Sequence, residues 1–153
     1  MKWVIKLFKL GTLISLISMI AVVSIQVFAR FFLEAAPHWT EEAARIFFIY
    51  TVAFGTGLGI NDNSFIRLDL IEQYLPIGMS YWLDFIINIF NIVFAVFMIT
   101  GSFYFIRMGL DERSPALEIS MAFIFFSTAI IGFAIGIFTL KHLFINKGKK
   151  GRL

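Results

Sequence analysis

Apolar and polar positions alternate along this chain in long blocks. Residues 10–29, 46–61, 85–106 and 119–140 carry no formal charge, and acids, bases and prolines gather between them. A membrane-spanning helix needs about 20 predominantly apolar residues, so the first, third and fourth blocks qualify directly. The second is shorter. It reaches spanning length when its helix begins near Thr40, with Thr40 as N-cap and Glu41 and Glu42 in the first turn beside the positive end of the helix dipole. The pattern predicts an all-α membrane protein with four transmembrane helices in one domain covering 1–153. The helices fall at about 10–32, 40–60, 77–106 and 119–141.

Small and polar residues inside these blocks mark faces that avoid lipid. At 100° per residue, Gly11, Ser15, Ser18, Gln26 and Ala29 of the first helix fall within an arc of about 80°. In the second, Ala44, Thr51, Gly55 and Gly59 share a stripe, and the Gly55-x-x-x-Gly59 spacing predicts a close helix approach. Thr128, Gly132, Gly136 and Thr139 repeat the device in the fourth. The third helix carries Asp84, Asn88, Asn91, Ala95 and Ser102 within about 60°. Such a stripe either lines an ion or substrate path or packs on neighbouring helices. Packing is preferred, because Asp84 is the one acid on this helix and lies near its end, where a charge costs less than at mid-membrane.

Composition agrees with the bilayer. The chain is 59% hydrophobic with 20 Phe in 153 residues, more apolar surface than a soluble domain of this length can bury. Charge then orients it. Lys2, Lys6 and Lys9 precede the first helix, Arg67 lies in the second connection, and Lys141, Lys147, Lys149, Lys150 and Arg152 follow the fourth. Arg30, Arg45, Arg107 and Arg113 share the other two connections with acids. The positive-inside rule then puts both termini and residues 61–76 in the cytoplasm. The net charge of +3 is thus a topology signal and not a nucleic-acid patch. The first apolar block exceeds the roughly 7–15 residues of a signal-peptide core, so it is expected to be a retained helix. Lys2, Lys6 and Lys9 recur at helical spacing with Trp3, Leu7 and Phe8 between them. That suits either ordinary flanking lysines or a helix start lying partly in the headgroup layer.

Catalytic chemistry has little to stand on. His38 and His142 fall on opposite sides of the predicted membrane, so neither a bis-histidine haem nor a histidine-carboxylate metal site assembles within the chain. Cysteine is absent, which removes thiolate ligands and disulfides. Gly55, Gly57 and Gly59 lie in an apolar helix without the strand that precedes a nucleotide-binding loop. No cofactor, catalytic residue or metal ligand is predicted.

The most informative polar segment lies between the first two helices. Pro37 stops the first helix, Trp39 is a headgroup-level anchor, and Thr40 starts the second. Capping does not account for Arg30, Glu42 and Arg45. An ion pair tying the two helix ends would, and so would charges offered to a partner.

The run Gln26-Val27-Phe28-Ala29-Arg30-Phe31-Phe32, then Trp39-Thr40-Glu41-Glu42-Ala43-Ala44-Arg45, Gly55, Ile66-Arg67-Leu68-Asp69-Leu70 and Leu75-Pro76 resembles the small membrane subunit of tripartite ATP-independent periplasmic (TRAP) transporters. Ser114-Pro115-Ala116-Leu117 also fits. The chain departs from that pattern where Ile119-Ser120 and Ser127-Thr128 replace prolines, which bears on the start and bend of the fourth helix. The resemblance singles out Arg30, Trp39, Thr40, Glu41, Glu42, Arg45, Gly55, Arg67 and Asp69 as motif or interface residues. It implies a small permease subunit of a sodium-coupled secondary transporter that takes up organic acids at the bacterial inner membrane. It also implies two partners, a large multi-helix membrane subunit and a periplasmic substrate-binding protein, besides membrane lipid. The sodium gradient would be used by the complex and the ion bound by the large subunit. Two other classes share the four-helix pattern: an assembly subunit of an unrelated membrane complex, and a small multidrug carrier, which would need an acid in the first helix.

Overall fold

The computed structural model describes residues 2–32, 37–61 and 77–150. Four helices occupy them: α1 (Lys2–Phe32), α2 (His38–Asn61), α3 (Ile77–Gly109) and α4 (Met121–Lys150). Each contains a segment long and apolar enough to cross a membrane. The first helix begins well before residue 10, because lysine-rich turns at its start continue the apolar helix without a break. Likewise α4 runs past residue 141 through its basic end. It starts at Met121 and not at residue 119, because the Ile119 carbonyl is engaged in the preceding loop by the Ser114 amide at 2.9 Å.

The helices form two hairpins, α1 with α2 and α3 with α4, joined across α2 and α4. Side by side the order is therefore α1, α2, α4, α3, with α1 and α3 on opposite flanks. One end of the assembly holds Pro37 and the 110–120 connection, here the loop end. The other, the terminal end, holds the start of α1 and the end of α4.

Aromatic and small residues interlock at the terminal end. Phe8 of α1 is buried edge-on to both Phe54 of α2, at 5.7 Å, and Phe138 of α4, at 5.6 Å. Val4, Ile5, Leu58 and Ile130 close around this cluster. Edge-to-face rings contribute about 0.5–1.5 kcal/mol beyond area burial. Gly57 makes the arrangement possible, since a Cβ there would sit 2.5 Å from the Phe8 ring and 3.0 Å from Phe138. Between α3 and α4 the same role falls to Gly132, where a Cβ would lie 2.8 Å from Ile99 Cγ1 and 3.2 Å from the Ile99 backbone nitrogen.

Four hydroxyls inside the spans illustrate bonding within a single helix. Thr12 donates to the Phe8 carbonyl, Thr51 to Phe47, Thr100 to Val96 and Ser127 to Ile124. This satisfies polar groups where no water competes. Tyr50 does more: its hydroxyl donates to the Phe123 carbonyl at 2.6 Å, a hydrogen bond that links α2 to α4.

Candidate functional site

The polar residues of the loop end build one connected joint. Its base is the connection between α3 and α4, folded on itself by local bonds. Ser114 donates its amide to the Ile119 carbonyl, Glu118 donates to the Ser114 carbonyl at 3.0 Å, and Met121 donates to the Glu112 carbonyl at 3.0 Å. Arg113 Nη1 reaches the Glu118 carbonyl at 3.2 Å. Glu118 closes the turn at φ 54°, a left-handed conformation uncommon outside glycine. Ser120 caps α4, accepting from the Ala122 amide at 3.3 Å and donating to the Gly109 carbonyl at 2.8 Å, so one hydroxyl joins the end of α3 to the start of α4.

Onto this loop α2 places Glu42. One carboxylate oxygen accepts from the Ser114 hydroxyl. The other accepts from the Ala116 amide at 2.9 Å and the Leu117 amide at 3.0 Å. The two successive amides form a small backbone nest for an anion, the Ser114 hydroxyl adds a third donor, and hydrogen bonds to a charged group contribute about 1.5–3 kcal/mol each. Ser114 is buried to 2% exposure. The joint clasps the start of α2 to the α3–α4 hairpin.

Several sequence expectations change here. Thr40 is fully buried but is not the N-cap: α2 begins at His38, and both the Thr40 amide, at 3.1 Å, and its hydroxyl, at 2.7 Å, donate to the Pro37 carbonyl. Glu41 lies in the first turn and Glu42 beyond it. No ion pair ties Arg30 to the acids of α2 among the described residues. Glu41 instead pairs with Arg45 at 3.5 Å within its own helix, an exposed contact contributing about 0.3–0.5 kcal/mol. Arg30 and Trp39 are exposed. Gly55 does not provide the close approach expected of it, since a Cβ there would meet nothing within 4 Å. Past Thr40 in the first turn, the buried residues of α2 are Ala43, Ile46, Ala53 and Gly57, centred roughly 160° round the helix from the Ala44, Thr51, Gly55, Gly59 stripe.

On α3, Asn88, Ala95 and Ser102 are buried and Asn91 is half-buried. A Cβ at Gly136 would touch Ala95 Cβ at 3.6 Å, so this face lies against α4. Thr139 of α4 is buried with a hydroxyl that finds no partner among the described residues. Arg67, Asp69 and the Asp84 side chain lie outside the described residues. Residue order alone does not single out Ser114 or the Ala116 and Leu117 amides as partners of Glu42, and the Ser114-Pro115-Ala116-Leu117 run stands out only through the family resemblance. The arrangement holds helices in register.

The model for the DctQ component of tripartite ATP-independent periplasmic transporters matches residues 19–146. The chain belongs to that family. Two Haemophilus influenzae proteins bearing the name TRAP transporter small permease protein are each 25% identical to it. One match covers 84% of this chain and 78% of the relative, the other 83% and 81%. The isethionate TRAP transporter permease protein DctMQ of Oleidesulfovibrio alaskensis is 32% identical over 87 residues, 56% of this chain and 14% of that protein. A TRAP small permease component is a part of a transporter, and the clasp formed by Glu42 joins two segments, Trp39 to Arg45 and Ser114 to Leu117, within the matched region.

Proposed function

We propose that this DctQ-family chain is the small, non-catalytic permease subunit of a sodium-coupled secondary transporter in the bacterial inner membrane. The complex would take up an organic acid delivered by a periplasmic binding protein. A large multi-helix membrane subunit holds the substrate and sodium sites, and the present chain braces that subunit's fixed scaffold. Both termini face the cytoplasm in this reading, as the distribution of lysine and arginine supports, and the clasped loop end faces the periplasm.

The observation that carries the partner is the outward side of α2. Glu41, Arg45, Phe48, Val52, Gly55 and Gly59 recur at alternating intervals of four and three residues, the spacing that keeps one seam against a neighbouring helix. The first four are exposed, and Gly55 opens onto space, where a partner's backbone can approach closely. The DctMQ relative supports a large partner, because its name joins both components in one permease of which this chain matches a small share.

Copurification with the large subunit in mild detergent, together with substrate uptake in proteoliposomes, tests the reading. Gly55→Leu is expected to lower recovery of the large subunit about tenfold, equivalent to one lost helix approach, with uptake falling in parallel and the isolated chain still helical. Unchanged recovery would remove this face from the interface. A wild-type chain that never recovers the large subunit would overturn the subunit assignment itself.

A further inference from the structure

The start of α1 carries charge in a place where a helix alone disfavours it. Lys2, Lys6 and Lys9 lie in its first turns, no acidic residue occurs anywhere on α1, and the helix N-terminus is itself the positive end of the dipole. Four positive sources therefore converge. All three lysines are exposed and project within about 60° of one another, spaced by three and four residues so that neighbours stand about 5–6 Å apart. Among the described residues no acid pairs with them.

Below the lysines the same face turns apolar. Leu13, Ile17 and Ile20 are exposed and continue the stripe within a combined arc of about 80°. Trp3, at 85% exposure, flanks the lysines. The orientation is rigid, because the opposite side of the same turns is pinned: Phe8 is buried against Phe54 and Phe138, with Val4 and Ile5 beside it. Length places the parts in depth. The 31 residues of α1 extend about 46 Å, against about 30 Å of hydrocarbon and about 40–45 Å with headgroups. The lysines thus fall in a headgroup layer and Leu13 to Ile20 beside acyl chains.

We propose that this face of α1 binds an anionic phospholipid, its phosphate held by Lys2, Lys6 and Lys9 and its chains lying along Leu13, Ile17 and Ile20. Anionic headgroup and apolar tail are both matched, in the right order along the helix. Neither a free phosphate nor an acidic peptide would use the apolar half of the stripe. The inference does not depend on the transporter reading, only on the chain spanning a bilayer.

Trp3 reports on the site. The full chain with Trp39→Phe and Trp82→Phe retains Trp3 alone of its three tryptophans. It is reconstituted in phosphatidylcholine nanodiscs holding headgroup spin-labelled phosphatidylglycerol or spin-labelled phosphatidylcholine. Quenching by labelled phosphatidylglycerol is expected to be at least about fivefold more effective, the contribution of a single lysine near the surface. The preference should shrink as salt rises, persist in Lys2→Arg/Lys6→Arg/Lys9→Arg, and vanish in Lys2→Gln/Lys6→Gln/Lys9→Gln. Equal quenching by both lipids in the wild-type lysine background would overturn the proposal, as would a preference surviving the glutamine variant. Should that variant fail to insert, a salt-independent preference with the native lysines overturns it. Loss of the preference on co-reconstitution with the large subunit would overturn it too, assigning the lysines to protein.

Discussion

Glu42 illustrates how one carboxylate can hold a membrane protein's loops together. Its oxygens take the Ser114 hydroxyl and the Ala116 and Leu117 amides, so removing the charge leaves donors facing a weaker acceptor. Glu42→Gln keeps the shape and turns an amide NH2 toward those donors. We expect a loss of about 1–3 kcal/mol, read as a lower thermal midpoint in detergent, with faster hydrogen exchange at the Ala116 and Leu117 amides. Ser114→Ala should cost less, about 1 kcal/mol, because the two backbone bonds survive. Unaltered exchange in Glu42→Gln would mean the amides are satisfied elsewhere. Local chemistry at this joint was only half legible in the sequence. α2 begins directly after Pro37, at the break that proline marks in the sequence, whereas Thr40 looked like a cap and proved to be an internal hydroxyl bonded to Pro37.

At the scale of whole helices, small residues decide the packing, and they are not interchangeable. Gly132 stands where a Cβ would press on Ile99, backbone included. Gly132→Val should therefore force α3 and α4 apart at a cost of about 1–3 kcal/mol. Gly55→Ala, in open space, should stabilise the isolated chain by about 1 kcal/mol through helix propensity alone. Denaturant unfolding of the two variants in one detergent checks the contrast, and destabilisation by both would contradict it. A helical wheel shows that Gly55 and Gly59 share a face. It does not show which face a neighbour occupies, and on α2 the neighbours took the side of Gly57.

For the molecule as a whole, the side-by-side order α1, α2, α4, α3 makes a prediction that the natural lack of cysteine renders simple to test. Ala95→Cys with Gly136→Cys places two Cβ atoms 3.6 Å apart, within the disulfide range of about 3.5–4.5 Å, and should cross-link on oxidation. Val23→Cys on α1 with Phe94→Cys on α3 should not cross-link within one chain, since those helices occupy opposite flanks. A monomer linked by the second pair would refute this order. Four membrane-length helices and the family motif could both be read from residue order, because hydropathy and short-range spacing are local properties. The partner of Glu42 lies 72 residues away, and α2 buries Gly57 and not Gly55. Both were decided by tertiary structure, because which helices become neighbours depends on how side chains from distant segments fit together, and no spacing within one segment encodes that.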